Sequence, residues 1–158
     1  MALLARRIAL ELRLSPEEAQ KVELAAKLHD ISKVGTPDDI LQKAGPLETW
    51  ERAEMELHPT RSVEILRFLD FLEPVLPLIE AHHEWYNGTG YPKGLRGEEI
   101  PLGARILAVA DAYDAMSSAR RYRPPFTAAE IIEQFKQGTG IQWDPDVVEA
   151  LLRLLSAG

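Results

Sequence analysis

The sequence predicts an all-α protein, a single-domain helical bundle that carries a long glycine- and proline-rich loop. Apolar residues recur at helical spacing along most of the chain, and helix-start signals precede several of these runs. No stretch alternates apolar and polar residues as a strand would, so at most a small hairpin is expected in the loop. The 158 residues match one ordinary domain, and we assign residues 1–158 to it.

The first half of the chain is predicted to be a series of helices. Residues 3–13 place leucines and isoleucine at helical spacing. Ser15-Pro16-Glu17-Glu18 joins a capping serine, a proline suited to the first turn and a glutamate that can close a capping box, which predicts a helix to about Asp30. Thr36 gives a similar signal for the start of a helix, and Gly45-Pro46 predicts a break in the helical pattern. The other helices predicted in this half cover about 36–42, 49–58 with an interruption at Pro59, 60–69 and 74–85.

The segment 87–103 differs from the rest because it holds five glycines and two prolines. We interpret it as a long ordered loop, and loops of this length are often functional. Helices are predicted again after it, over about 102–119, 127–137 and 145–156. The second of these begins with the capping box Thr127 to Glu130, and the third begins at Asp144-Pro145.

The composition excludes several classes of function. The chain has no cysteine, so disulfides, zinc-thiolate sites and thiol nucleophiles are ruled out. A net charge of −7 argues against binding to nucleic acid polymers or to anionic membranes. The longest apolar runs are too short to span a bilayer, and no signal-peptide pattern is found at the N-terminus. We therefore expect a cytoplasmic protein.

Four histidines and one aspartate predict a metal site. Any one of His29, His58, His82 and His83 would normally be a hydrogen-bonded residue of the core, and that interpretation stays open for each alone. Asp111, however, lies in an apolar run, where an unpaired carboxylate would be costly. Imidazole and carboxylate ligands suit Fe, Mn, Zn and related ions, and a pair of ions can stabilise both the attacking and leaving oxygens of a phosphoryl displacement.

Ordered motifs over most of the chain resemble the HD-GYP family, a branch of the HD hydrolase superfamily. The first is His29-Asp30-Ile31-Ser32-Lys33, and His58-Pro59 follows it. The second runs from His82-His83-Glu84 through Gly90-Tyr91-Pro92. Val109-Ala110-Asp111 completes the set, with a basic turn at residues 120–123 behind it. The family hydrolyses cyclic di-GMP, so the resemblance implies an HD-domain-like bundle whose glycine loop borders an active site.

The resemblance also implies roles for individual residues. One metal is expected on His29, Asp30 and Asp111, and Asp30 is expected to bridge to a second metal that His58, His82 and His83 hold. Asp30 and Lys33 are the predicted catalytic residues. The residues expected to contact substrate are Lys33, Gly90, Tyr91, Pro92, Arg120 and Arg123. From the residues alone, other roles stay open: Lys33 can cap a helix C-terminus, Tyr91 can pack within the loop, and the arginines can form a solvated turn.

The sequence departs from the family pattern at three places. The family usually has a further metal-binding histidine on an upstream helix, whereas no histidine precedes His29 here. The upstream metal-ligand helix is therefore either truncated or absent in this chain. Ser32 and Ser62 stand where the family commonly has glycine.

The leading hypothesis is a metal-dependent phosphodiesterase that converts cyclic di-GMP to linear pGpG and, in some family members, to GMP. Two divalent ions are expected, Fe or Mn first, with Zn, Ni and Mg as alternatives. A second hypothesis is a degenerate domain that binds cyclic di-GMP or a signalling partner without turnover, and a third is a hydrolase for another nucleotide. A sensor or receiver domain, a signalling protein and a second copy of the chain are the partners that the family suggests.

Overall fold

The protein is an all-α bundle, as predicted. Its computed structural model describes residues 1–36, 40, 43, 45–119 and 124–157. Within these ranges there is no strand, and the pairing of Thr139 with Trp143 is an isolated bridge. The α-helices of the described residues are α1 (Ala2–Glu11), α2 (Pro16–Leu28), α3 (Thr49–Glu56), α4 (His58–Leu66), α5 (Leu76–Glu80), α6 (Leu102–Ser117), α7 (Ala128–Gly138) and α8 (Pro145–Ser156). Three 3-10 helices cover Ile31–Gly35, Asp70–Val75 and Gly97–Glu99.

The predicted capping signals explain where three of the helices begin. At α2 the Ser15 hydroxyl accepts from the amide of Glu18, and the Glu18 carboxylate accepts from the amide of Ser15. Thr127 and Glu130 make the same reciprocal pair at α7. At α8 the Asp144 carboxylate accepts from two amides of the first turn. These bonds satisfy amide groups that would otherwise have no partner at a helix start.

Helix α6 lies at the centre of the bundle and contacts α1, α2, α5, α7 and α8. Its buried residues include Ile106, Leu107 and Val109, which are fully enclosed in the main apolar core. Gly103 permits the close approach of its N-terminal end, because a Cβ there would lie 2.7 Å from a Leu78 methyl group. The packing therefore fixes the position of Asp111, which the same helix carries.

The prediction of one helix over 74–85 is wrong about its length. Residues 70–75 form a 3-10 helix that contains Pro74, and α5 covers only Leu76–Glu80. A turn follows, in which the amide of Glu84 donates to the carbonyl of Ala81. The early end of α5 matters for the site, because it places His82 and His83 in a turn instead of in a helix.

The remaining predictions of secondary structure hold with small shifts of boundary. The interruption near Pro59 is a break at Leu57 between α3 and α4. The segment 87–103 is a loop with one short 3-10 helix, and it forms no hairpin. The short helix expected over 36–42 falls largely on residues outside the described ones. No helix in the described part of the chain is long and apolar enough to cross a membrane.

Candidate metal centre and substrate loop

Six residues that the sequence singles out meet at one end of the bundle. His29 ends α2 and Asp30 follows it, while His58 is the first residue of α4. His82 and His83 occupy the turn after α5, and Asp111 comes from the middle of α6. Ring centroids of His82 lie 5.0 Å from His29, 5.3 Å from His58 and 4.1 Å from His83. Residues from four separate segments thus form one cluster.

Three of the imidazoles are oriented by the main chain in the same way. The Nδ1–H groups of His29, His58 and His82 donate to carbonyl oxygens three residues earlier, at 2.9, 2.7 and 2.6 Å. A carbonyl oxygen can only accept, so each Nδ1 carries a proton, and Nε2 is unprotonated whenever the ring is neutral. Such bonds are the usual way in which proteins fix the tautomer and orientation of a metal-binding histidine.

The resulting arrangement of lone pairs fits a bound cation. Nε2 of His58 and Nε2 of His82 lie 3.4 Å apart, with no proton available between two neutral rings. Nε2 of His29 is buried without a hydrogen-bond partner in the described part of the chain. Within each of two groups the donor atoms all lie within 4.8 Å of one another. The first group is His58, His82 and His83, and the second is His29, Asp30 and His82. These residues could therefore hold metal, and His82 is shared by both groups.

The two carboxylates face the histidines from the more open side of the cluster. Asp30 lies 3.3 Å from Nε2 of His29 through one oxygen and 3.4 Å from Nε2 of His58 through the other. An oxygen of Asp111 lies 3.7 Å from Nε2 of His29. Asp30 therefore stands between the two donor groups, which is the place that the bridging role implied by the resemblance requires.

Burial keeps most of the histidines neutral. It lowers the pKa of His58, and it lowers the pKa of His82 further, with the neighbouring imidazoles His83 and His29 adding to the effect. Burial and His58 lower the pKa of His83 to about 4. Neutral imidazole is the form that binds metal, so these three rings need no deprotonation at neutral pH.

His29 behaves differently because it faces both carboxylates. Burial alone would lower its pKa, but Asp111 and Asp30 outweigh burial and raise the pKa to about 9. Burial would raise the pKa values of Asp30 and Asp111, but His29 lowers both, together with Lys33 at Asp30 and His83 at Asp111. Protonated His29 thus supplies positive charge beside the carboxylates.

Lys33 reaches back to the cluster from the 3-10 helix that follows Asp30. Its Nζ lies 2.8 Å from both oxygens of the Asp30 carboxylate. The side chain is 32% exposed, so the ammonium group stands between the cluster and solvent. A cation at this place can contact an anionic group that approaches from outside.

The Gly90-Tyr91-Pro92 element covers the cluster next to His83. The Tyr91 ring stacks on the His83 ring with a centroid distance of 5.0 Å, and the Tyr91 amide donates to the His83 carbonyl. A Cβ at Gly90 would lie 2.2 Å from the amide nitrogen of Trp85, so only glycine fits there. The close approach that this glycine permits is to the protein's own backbone. Burial raises the pKa of Tyr91, so its phenol stays protonated.

Glu84 holds this loop in place. Its buried carboxylate accepts from the amides of Lys93 and Leu95 at 2.6 and 3.0 Å.

A cavity of about 130 Å³ opens beside the cluster, lined by Trp85 and Gln142 as well as His82, His83 and Asp111. Gln142 was not predicted, because nothing in its local sequence marks it. Arg120 and Arg123 lie outside the described residues.

The chain is similar to known proteins over nearly its whole length. Residues 1–147 match a family model described as HD domain. A cyclic di-GMP phosphodiesterase response regulator of Xanthomonas campestris is 42% identical over 155 residues, which cover 97% of this chain and 41% of that protein. A 3'3'-cGAMP-specific phosphodiesterase of Vibrio cholerae is 38% identical over 154 residues, which cover 96% of this chain and 30% of that protein.

A solved structure shares the fold. An HDG"Y"P protein from Bdellovibrio bacteriovorus superposes with a TM-score of 0.79 at 23% sequence identity, and the match covers 98% of this chain and 50% of that one. The chain spans less than half the length of the two curated relatives described above.

Proposed function

This chain belongs to the HD domain family, and on that premise we propose that it is a metal-dependent phosphodiesterase domain that hydrolyses cyclic di-GMP. The family resemblance inferred from the motifs is confirmed by the match over residues 1–147. The observation that carries the proposal is the convergence of four imidazoles and two carboxylates at one place, with unprotonated nitrogens facing one another at 3.4 Å. We assign residues 1–158 to one catalytic domain.

In the proposed site, His58, His82 and His83 would hold one divalent ion, and His29, Asp30 and Asp111 would hold the other. Asp30 contributes to both, and the donor atoms suit Fe or Mn, with Zn, Ni and Mg as alternatives. When bound, such ions supply Lewis-acid charge and lower the pKa of coordinated water.

The chain's own residues would bind and orient the substrate. Lys33, now paired with Asp30, is placed to offset negative charge on a phosphate oxygen. We assign the same role to Arg120 and Arg123. Gly90, Tyr91 and Pro92 form the wall beside His83, and Tyr91 would exclude water from that side. The proposed products are linear pGpG and, after a second hydrolysis, GMP.

The first test is product formation from cyclic di-GMP by protein prepared without oxygen and loaded with Fe²⁺ or Mn²⁺. We expect pGpG, and we expect it to disappear in the His82→Ala variant. A parallel assay with 3'3'-cGAMP compares kcat/KM for the two substrates, because one relative is named for that specificity. Metal-loaded protein that hydrolyses neither substrate would refute the proposal.

The second candidate function is binding of cyclic di-GMP without turnover. The observation that favours it is Ser32, which stands beside the metal-binding turn where the family commonly has glycine. Tight binding of cyclic di-GMP with no product at any metal loading would select this candidate.

The proposal also includes a cytoplasmic location, a regulatory sensor or receiver domain, and a homodimer. Size-exclusion chromatography with light scattering tests the homodimer.

A further inference from the structure

Two serines that lie 30 residues apart in the sequence meet in the core beside the metal centre. Ser32 belongs to the 3-10 helix after Asp30, and Ser62 lies one turn into α4 after His58. Their hydroxyl oxygens are 3.0 Å apart, and the two residues are 6% and 0% exposed. Buried hydroxyl groups need partners, so their hydrogen bonds reveal what they hold together.

The bonds of the two serines cross between the two histidine segments. The Ser32 hydroxyl donates to the carbonyl of His58 at 2.7 Å. The Ser62 hydroxyl lies 3.1 Å from the carbonyl of His29 and accepts from the amide of Ser32 at 3.3 Å. Each serine thus binds the main chain of the other segment's histidine. The Ser62 hydroxyl has one proton, which it donates either to the His29 carbonyl or to the Ser32 oxygen. In both cases its oxygen accepts from the Ser32 amide.

We propose that Ser32 and Ser62 are a pair of positioning residues that set the separation of His29 and His58. The inference rests on the proposed metal centre, to which these histidines contribute through different donor groups. The side chains of both histidines are already fixed to their own segments through Nδ1. What remains to be fixed is the position of one segment relative to the other, and the crossed bonds of the serines do this.

The bridge matters because metal ligands tolerate little displacement. Ligand distances in a working site lie within about 0.2 Å of their ideal values. His29 ends one helix and His58 begins another, so their relative position is not set by a shared element. Loss of a partner that orients a metal ligand typically weakens metal affinity by about 10- to 100-fold.

The test measures Co²⁺ binding by its visible absorption for Ser32→Ala, Ser62→Ala and the double variant of the whole chain. We expect each single substitution to raise the Kd by about 10-fold and to change the absorption spectrum. The double variant should lose less than the product of the two single effects, because both bonds belong to one bridge. Thr139→Val is the matched control, since its hydroxyl also donates to a carbonyl at 2.7 Å, away from the cluster.

Thermal unfolding of the metal-free variants separates positioning from general stability. Variants that melt at a lower temperature but bind Co²⁺ as the wild type does would overturn the inference, and so would equal losses in Thr139→Val. If Ser62→Ala does not fold, Ser32→Ala decides alone, because it removes the bond to His58 and the contact with Ser62 but leaves the bond from Ser62 to the His29 carbonyl. Wild-type protein that binds no Co²⁺ would instead refute the proposed metal centre itself.

Discussion

On the histidine side of the site, His58 and His82 are 3% and 1% exposed and their rings are fixed by main-chain carbonyls. On the opposite side, the side chains of Asp30, Asp111 and Lys33 are 36%, 37% and 32% exposed and bind one another or His29. The first side is prearranged by the fold, and the second can exchange partners. The difference indicates which groups hold ions and which also meet the substrate.

The largest effect is expected from His82, because at 1% exposure it is the most deeply buried of the candidate ligands. His82→Ala should remove the ion assigned to His58, His82 and His83 and lower activity to the background of the assay. His83→Ala should deplete the same ion and leave the other in place, since His83 belongs to that group alone. Metal content of the dialysed proteins, measured by mass spectrometry, checks the comparison. Two ions retained in His82→Ala would contradict the assignment of His82 as a ligand.

A smaller effect is expected on the open side. Lys33→Ala should lower kcat by about 100- to 1,000-fold, the usual loss when a group that offsets developing charge is removed. Both ions should remain, because Lys33 donates to Asp30 and supplies no metal ligand.

Steady-state kinetics and metal content on the same sample test this prediction. Lys27→Ala is the control, since Lys27 pairs with Glu23 on the exposed face of α2. Loss of metal in Lys33→Ala would assign the lysine to the prearranged side instead.

The smallest effect is expected in the glycine loop. Glu84→Gln leaves one oxygen to accept from two amides, and an unpaired buried amide costs about 1–3 kcal/mol. KM should rise about 10-fold with metal content unchanged, because Glu84 binds the loop and not the ions.

Glu80→Gln is a close control for the loop. Glu80 binds the side chain of Lys93, whereas Glu84 binds the backbone amide of the same residue. Initial rates over a range of substrate concentration provide the comparison. Equal values of KM in the two variants would show that the loop does not depend on Glu84.

Much of the fold could be predicted because its helix starts are encoded locally. Ser15 with Glu18, and Thr127 with Glu130, are capping boxes within four residues, and the structure forms both. The length of α5 could not be predicted in this way. Its end depends on the turn at Ala81 and on the loop that Glu84 anchors. Glu84 does so by binding the amides of Lys93 and Leu95, nine and eleven positions later.

The candidate site could also be predicted only in part, because some of its contacts join residues far apart in the sequence. The motifs identify His29, Asp30, His58, His82, His83 and Asp111, and the structure brings all six together. Ser32 and Ser62 were visible only as two separate departures from a family pattern. Their contact joins segments 30 residues apart, and neither local spacing nor composition encodes it.

The carbonyls that orient three imidazoles belong to Ala26, Met55 and Ile79. Every amino acid has a carbonyl oxygen, so substitutions at these positions change a side chain without removing the acceptor. The direction of the rings therefore depends on the path of the main chain at these positions and not on the chemistry of the side chains there. A substitution at one of them would reorient an imidazole only by moving the backbone.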